Sequence, residues 1–283
     1  MNRRMRSEDS TLGVDGARLR YRDEGQGPPV ILIHGWTLDL EMWGSQAAAL
    51  SADFRIIRLD RRGFGLSTGN PSIEADCEDV AKLCGHLGLE RVALLGVSQG
   101  ARVVMQFAAA HPELICCMIL DGPPHLGTPG GNVTSHDVPY AYYRTLAQSR
   151  GLEAFRREWS AHALTRLRTT DPAAKALLTL MLERYPGKDL MDTETRPAAA
   201  APAQAPLWPS CPVLVINGEF ELESRKGFAK WLQAQHRQVD TVEIPAAGHL
   251  CNLDNPQAYN AALRRFLEQH AIHSSHSSLR SLP

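Results

Sequence analysis

Five short apolar runs constrain the chain most: Val30–Ile33, Ile56–Leu59, Val92–Leu95, Ile115–Leu120 and Val213–Ile216. They are rich in β-branched residues and leucine, and they lack the alternation of apolar and polar residues that a half-exposed strand shows. Strands covered on both faces read this way, and such strands belong to parallel sheets. Helical patterning fills the intervals between the first four runs, at about 38–51, 72–87 and 99–111, and appears again at about 224–235 after the fifth. Strands alternating with helices predict a doubly wound, mostly parallel α/β fold. Ahead of them, Thr11–Val14 and Arg18–Arg22 flank Asp15-Gly16, a dipeptide that favours a hairpin turn, so the sheet is expected to begin with antiparallel strands. Thr241–Ile244 reads as the last strand, giving eight, and 256–270 as the last helix.

One interval breaks the alternation. Between 123 and 210 there is no buried-strand run; helical patterns appear near 139–150, 152–165 and 172–185, and a stretch rich in Pro and Ala (196–209) follows. We expect a core formed by 1–122 and 211–272, with a helical cap at 123–210 inserted between two strands. The tail 273–283 is polar and is expected to be disordered. Its His273 and His276 are read as solvated residues of that tail.

Composition narrows the function classes. The 283 residues are 43% hydrophobic and 22% charged, with a net charge of −1. No charge excess points to nucleic acid or an acidic membrane surface. No run approaches the length of a membrane span. The N-terminal basic residues are not followed by an apolar segment, so a secretory signal is not expected and a cytoplasmic location is. The six cysteines form no C-x-x-C pair, which favours reduced thiols. No phosphate loop, dinucleotide fingerprint or cluster with metal-ligand spacing is visible, so neither cofactor nor metal is expected.

The third buried run ends in Gly96-Val97-Ser98-Gln99-Gly100. This is the G-x-S-x-G pattern of a strained strand-to-helix turn that presents a serine hydroxyl at the end of a sheet strand. A chain with 22 glycines produces such a pentapeptide by accident roughly once in ten, so its surroundings must carry the reading. A serine hydroxyl needs a base to become a nucleophile. Among eleven histidines, His249 lies just past the last strand, where groups at the carboxyl end of an open sheet meet a ligand. His34 also follows a strand. His111 looks like a helix end, and His86, His125, His136, His162, His236 and His270 have no such placement. A carboxylate should orient the base, and in this arrangement it falls between the serine and the histidine in the chain. Glu219, Glu221 and Glu223 follow the fifth run, and Asp121 ends the fourth; Glu221 is preferred, with Asp121 as the rival. The oxyanion of a tetrahedral intermediate needs backbone donors. These are assigned to the N–H groups of Gln99 and of Trp36, with Gly35 allowing close approach. The Trp36 side chain either lines an acyl pocket or packs in the core.

Together these segments resemble the α/β-hydrolase family over nearly the whole chain. They stand in order: His34-Gly35-Trp36; Asp60-Arg61-Arg62-Gly63-Phe64-Gly65-Leu66-Ser67; the serine pentapeptide; Asn217-Gly218-Glu219-Phe220-Glu221; and Gly248-His249 followed by Asn252-Leu253-Asp254-Asn255-Pro256. The resemblance implies that the Asp60 segment is a structural turn and that His34 supports the oxyanion loop. Many relatives carry Asp where this chain has Glu221, so the longer side chain has to fold back to reach His249. Local texture is most similar to capped esterases and lactonases, which implies a small ester or lactone substrate and an acyl-enzyme. C–C bond hydrolases and cofactor-free quinolone dioxygenases are alternatives on the same fold, and a non-enzymatic ligand receptor is a third reading. Tyr140, Tyr142, Tyr143, Phe155, Trp159 and Tyr185 are expected to form the cap core. Arg144, Arg156 and Arg157 are expected on solvated helix faces. Oligomeric state cannot be read from the chain.

Overall fold

The computed structural model describes residues 8–124, 137–192 and 210–271. The eight strands are β1 (Ser10–Val14), β2 (Ala17–Glu24), β3 (Pro29–Ile33), β4 (Arg55–Leu59), β5 (Val92–Val97), β6 (Ile115–Asp121), β7 (Val213–Gly218) and β8 (Val239–Ile244). They form one sheet in the order β1-β2-β4-β3-β5-β6-β7-β8. β1 pairs antiparallel with β2, and β2 with β4; every other pairing is parallel. The expected α/β architecture with an antiparallel start is therefore the observed one.

The helices are α1 (Gly44–Leu50), α2 (Ile73–Leu87), α3 (Gln99–Ala110), α4 (Tyr140–Ser160), α5 (Pro172–Arg184), α6 (Lys188–Met191), α7 (Glu223–Gln235), α8 (Cys251–Asp254) and α9 (Pro256–His270). Successive strand residues face opposite sides of a sheet, and here both sides are covered. Val30 and Leu32 of β3 join one apolar cluster with Ala47 of α1 and Leu263 of α9. Ile31 and Ile33 join another with Val80 of α2, Val104 of α3 and Phe228 of α7. That two-sided burial is why the strand runs lack alternation. Each fully buried Val, Leu or Ile contributes about 1.5–3 kcal/mol of transfer free energy, so the two faces carry much of the stability.

Helix boundaries follow local chemistry. Ser72 caps α2, its hydroxyl accepting the Ala75 N–H at 3.2 Å, and Gly88 ends the helix in the left-handed region. Between β6 and β7 the described residues form α4, α5 and α6. The sequence reads two helices there, at 139–150 and 152–165. The structure has α4 broken at Gly151 (φ 83°, ψ 164°) and ending at Ser160. The remaining residues turn instead, because the His162 ring accepts the Leu164 N–H at 3.2 Å and the His162 carbonyl accepts the Thr165 N–H at 3.0 Å. The predicted 196–209 segment, the tail, and His125, His136, His273 and His276 lie outside the described residues. Among the described residues no helix is long and apolar enough to cross a membrane.

Candidate active site

Ser98 joins β5 to α3 with φ 54° and ψ −113°. A non-glycine residue in such a conformation costs on the order of 1–3 kcal/mol and persists only where its surroundings enforce it. Here the Ser98 N–H donates to the Asp121 carbonyl at 2.8 Å, and the Ser98 carbonyl accepts the Ala101 N–H at 3.0 Å. Both flanking glycines are required by packing. A Cβ on Gly96 would stand 2.3 Å from the Gly100 carbonyl oxygen, and one on Gly100 would stand 2.4 Å from that of Ile33.

The loop after β7 and the loop after β8 bring a carboxylate and an imidazole together. Nδ1 of His249 lies 2.5 Å from Oε2 of Glu221, and both side chains are buried. The second Glu221 oxygen accepts the Leu222 N–H at 2.8 Å. The extra methylene of glutamate is thus absorbed by turning the carboxyl back over its own backbone. Burial pushes the Glu221 carboxyl up, but the His249 ring and the Arg225 cation more than offset it, so it stays below the usual carboxylate range. Glu219 and Glu223 are exposed.

Asp121 is placed differently. It is fully buried at the end of β6, and neither carboxylate oxygen meets a donor at good hydrogen-bonding geometry, although the Tyr259 hydroxyl and the Cys251 thiol lie beside it. Burial, reinforced by the neighbouring Glu221 charge, raises its carboxyl well above the ordinary range; Tyr259, Cys251 and Arg225 moderate the shift without reversing it. Gly122, the next residue, has φ 49° and no room for a side chain: a Cβ there would meet the His249 ring at 2.6 Å and Glu221 Oε2 at 2.7 Å.

The loop after β3 passes close to the serine. A Cβ built on Gly35 would lie 3.5 Å from the Ser98 Cβ. Gln99 opens α3, where a helix leaves its first N–H groups without internal partners, and its side-chain oxygen accepts from Arg61 Nη1 at 2.8 Å. His34 sits beneath this loop. Its Nε2 accepts the Arg61 N–H at 2.9 Å and its Nδ1–H donates to the Gly35 carbonyl at 2.7 Å. Burial, then the Arg61 charge, lowers its pKa to about 3, so it is neutral. Asp60 accepts the N–H groups of Leu40 and Leu66, at 2.7 and 2.8 Å, and braces a turn.

Trp36 does both things the sequence left open. Its ring packs among Tyr140, Tyr143, Phe155, Trp159 and Tyr185, with ring centroids 4.9–6.4 Å away, and it also borders the pocket. Its indole N–H donates to the buried Asp189 of α6 at 2.7 Å, and the Tyr185 hydroxyl donates to the same carboxylate. Tyr143, Phe155, Trp159 and Tyr185 are buried, whereas Tyr142 is exposed. The pocket over the serine is lined by Gly35, Trp36, Leu38, Ser98, Val138, Trp159, Leu164, Thr165, His249 and Leu250. It is mostly apolar, with the serine and the histidine converging on it.

Three polar groups around the site, one of them on the serine itself, were not singled out from the sequence. Arg225, 1% exposed, places Nη1 3.3 Å from Ser98 Oγ and donates the same nitrogen to the Gly122 carbonyl. Asp137 receives its Nε at 3.0 Å. His162 stacks on Trp159, and burial, then the charges of His249 and Arg225, lower its pKa. The arginines weighed from the sequence lie elsewhere: Arg144 and Arg156 donate to the carbonyls of Asp192 and Tyr185, and Arg157 is exposed. The available signal was an Arg four residues after Glu221, in the first turn of the helix that follows it. None of the six cysteines is in a disulfide, and among the described residues no group of three or more His, Cys, Asp or Glu side chains is placed to hold a metal ion.

Comparisons with known proteins bear on the fold. A family model described as the alpha/beta hydrolase fold matches residues 28–256. RutD of Klebsiella pneumoniae, assigned as a carbamate hydrolase, is 25% identical over 247 residues, covering 83% of this chain and 90% of that protein. An esterase of Thermogutta terrifontis is 27% identical with a TM-score of 0.72, covering 93% of this chain and 99% of its own. The enol-lactonase of Burkholderia xenovorans is 25% identical with a TM-score of 0.73, covering 92% and 100%. With this strand order and a family match spanning most of its length, this chain belongs to the α/β-hydrolase fold family.

Proposed function

We propose that this protein is a serine hydrolase that cleaves a small carboxylic ester or lactone through an acyl-enzyme. The observation that carries the reading is the buried His249–Glu221 pair, 2.5 Å apart, on the pocket that the strained Ser98 enters. Ser98 Oγ attacks the carbonyl carbon while its proton passes to His249 Nε2, and the π pair of the carbonyl moves onto oxygen. Glu221 holds the Nδ1–H and stabilises the imidazolium. The N–H groups of Trp36 and Gln99 receive the oxyanion. The leaving alkoxide takes the proton from His249, and the same ring then activates water to release the acid. The esterase and enol-lactonase likenesses support this class, and a carbamate, as named for the RutD relative, presents the same kind of carbonyl. The apolar pocket lining favours a modest aliphatic or aromatic substituent.

The test is chromogenic-ester turnover by wild type and Ser98→Ala, beside labelling with a fluorophosphonate. We expect labelling at Ser98 and loss of about 10³-fold or more in kcat for the variant. Full esterase activity in Ser98→Ala would refute the mechanism. Quinolone turnover that survives Ser98→Ala but not His249→Ala would assign the cofactor-free oxygenase chemistry instead.

A further inference from the structure

Arg225 is the one polar side chain described at hydrogen-bonding distance from the nucleophile oxygen, and the hydrolase reading gives it no task. It is the third residue of α7, four residues after Glu221 of the loop before that helix, so one short stretch of chain delivers a carboxylate to His249 and a cation to Ser98. Its guanidinium is held on two further sides, by the Asp137 carboxylate at Nε (3.0 Å) and the Gly122 carbonyl at Nη1. Its side chain is buried, and there a fixed charge acts far more strongly than in water. An exposed ion pair that merely decorates the surface would have neither this burial nor a donor aimed at Oγ.

We propose that Arg225 is a further catalytic residue, whose Nη1–H stabilises the Ser98 oxygen as that atom gives up its proton and bonds to the substrate carbon. The inference rests on Ser98 being the nucleophile. In the step, the Ser98 proton moves to His249 and the Oγ–C bond forms. Arg225 keeps its own proton throughout, and its hydrogen bond strengthens only while Oγ carries negative charge. Such an interaction is absent from the ground state in its full strength, so it should appear in kcat and in the acylation rate rather than in KM. Asp137 then serves as the clamp that aims the guanidinium.

The experiment compares fluorophosphonate labelling rates and steady-state ester kinetics for wild type, Arg225→Met, Arg225→Lys and Asp137→Asn, with each preparation normalised by active-site titration. Removing one hydrogen bond to a charged group should slow labelling by about 10–100-fold, with kcat falling in parallel and KM changing little. Arg225→Lys should recover part of that loss, because lysine supplies the charge but not the fixed fork. Asp137→Asn should slow labelling by a smaller factor. Arg225 is buried, so Arg225→Met can lose folded protein; normalisation corrects for this, and the Lys and Asn variants carry the test if none survives. Titrated Arg225→Met that labels at the wild-type rate would show a purely structural ion pair and overturn the proposal. Loss confined to carboxylate-bearing esters, with labelling unchanged, would also overturn it and make Arg225 a substrate-anion contact. Wild type that is not labelled at Ser98 would refute the hydrolase reading and this one together, whereas labelled wild type with an indifferent Arg225 would refute this one alone.

Discussion

β6 and β7 lie side by side, with Asp121 paired to Ile216 in the register, and each strand leads into a buried carboxylate. Yet their surroundings push the two carboxyls in opposite directions. Glu221, after β7, sits against a histidine ring and a backbone N–H, with a guanidinium nearby; its ionised form is supported from three directions and its carboxyl stays acidic. Asp121, at the end of β6, has the same depth of burial but no donor at hydrogen-bonding geometry. Its proton is held far above the ordinary range, largely by burial and by the charge of Glu221 itself. A strand end in this fold therefore supplies a position for an acid, and the partners within about 3 Å decide whether that acid is ionised. A carboxyl raised in this way makes Asp121 the weaker rival, and we propose Glu221 as the group that stabilises a protonated His249.

The largest expected effect breaks the comparison from the side of Glu221. In Glu221→Gln the shape is kept and the charge lost, so the histidine tautomer and imidazolium lose their support; kcat should drop by about 10³–10⁴-fold, measured on a chromogenic ester. If Glu221→Gln loses less than Asp121→Asn, the assignment of the orienting acid is reversed. Stability carries a second signature. The folded Glu221 carboxyl is lower than its ordinary value of 4.5, so its contribution is full above that value and is lost as pH falls through the folded value. Glu221→Gln should remove that part of the acid-side loss in Tm.

Asp121→Asn should act in the opposite sense and more weakly. The folded Asp121 is raised above its ordinary value of 3.8, so the native state binds a proton that the unfolded chain has released. The resulting penalty is absent below about that value and grows as pH rises toward the folded value, by at most about 1.4 kcal/mol per pH unit. An amide mimics the protonated acid and carries no such penalty. The Tm advantage of Asp121→Asn over wild type should therefore widen between pH 4 and 8, while kcat stays within about tenfold. A Tm difference that is flat over this range would mean that Asp121 is ionised in the native protein.

What the chain reveals by itself divides along the same line. The buried strands could be read because two-sided burial removes alternation, a local property of runs such as Val92–Leu95. The elbow could be read because Gly96, Ser98 and Gly100 fall within five residues, even though the backbone that excludes a side chain at Gly100 is the distant Ile33 carbonyl. The choice between Glu221 and Asp121 could not, since both follow buried strands in the right order and differ in which distant donors reach them. Arg225 was hidden for a related reason. It is one of 30 Lys and Arg residues, and only the meeting of α7 with the ends of β5 and β6 puts it on Ser98. The broken α4 fell between these cases: Gly151 marked a boundary, but the turn after Ser160 depends on the His162 ring reaching back to the Leu164 N–H.

The smallest effect tests the neutrality of Asp121 from its neighbour. Tyr259 is fully buried, and its hydroxyl, like the Asp121 oxygens, has no partner at hydrogen-bonding distance and angle. Beside an ionised carboxylate that hydroxyl would be a needed donor, and its removal would cost about 1.5–3 kcal/mol, as for other hydrogen bonds to charged groups. Beside a protonated one it donates little, and Tyr259→Phe removes a buried hydroxyl that was already poorly satisfied. We expect a change in unfolding free energy of less than about 1 kcal/mol at pH 7 and ester turnover within about twofold of wild type, read by denaturant unfolding and by the same chromogenic assay. A loss in the charged range would place a negative charge on Asp121 and put the end of β6 back in competition with Glu221 for the histidine.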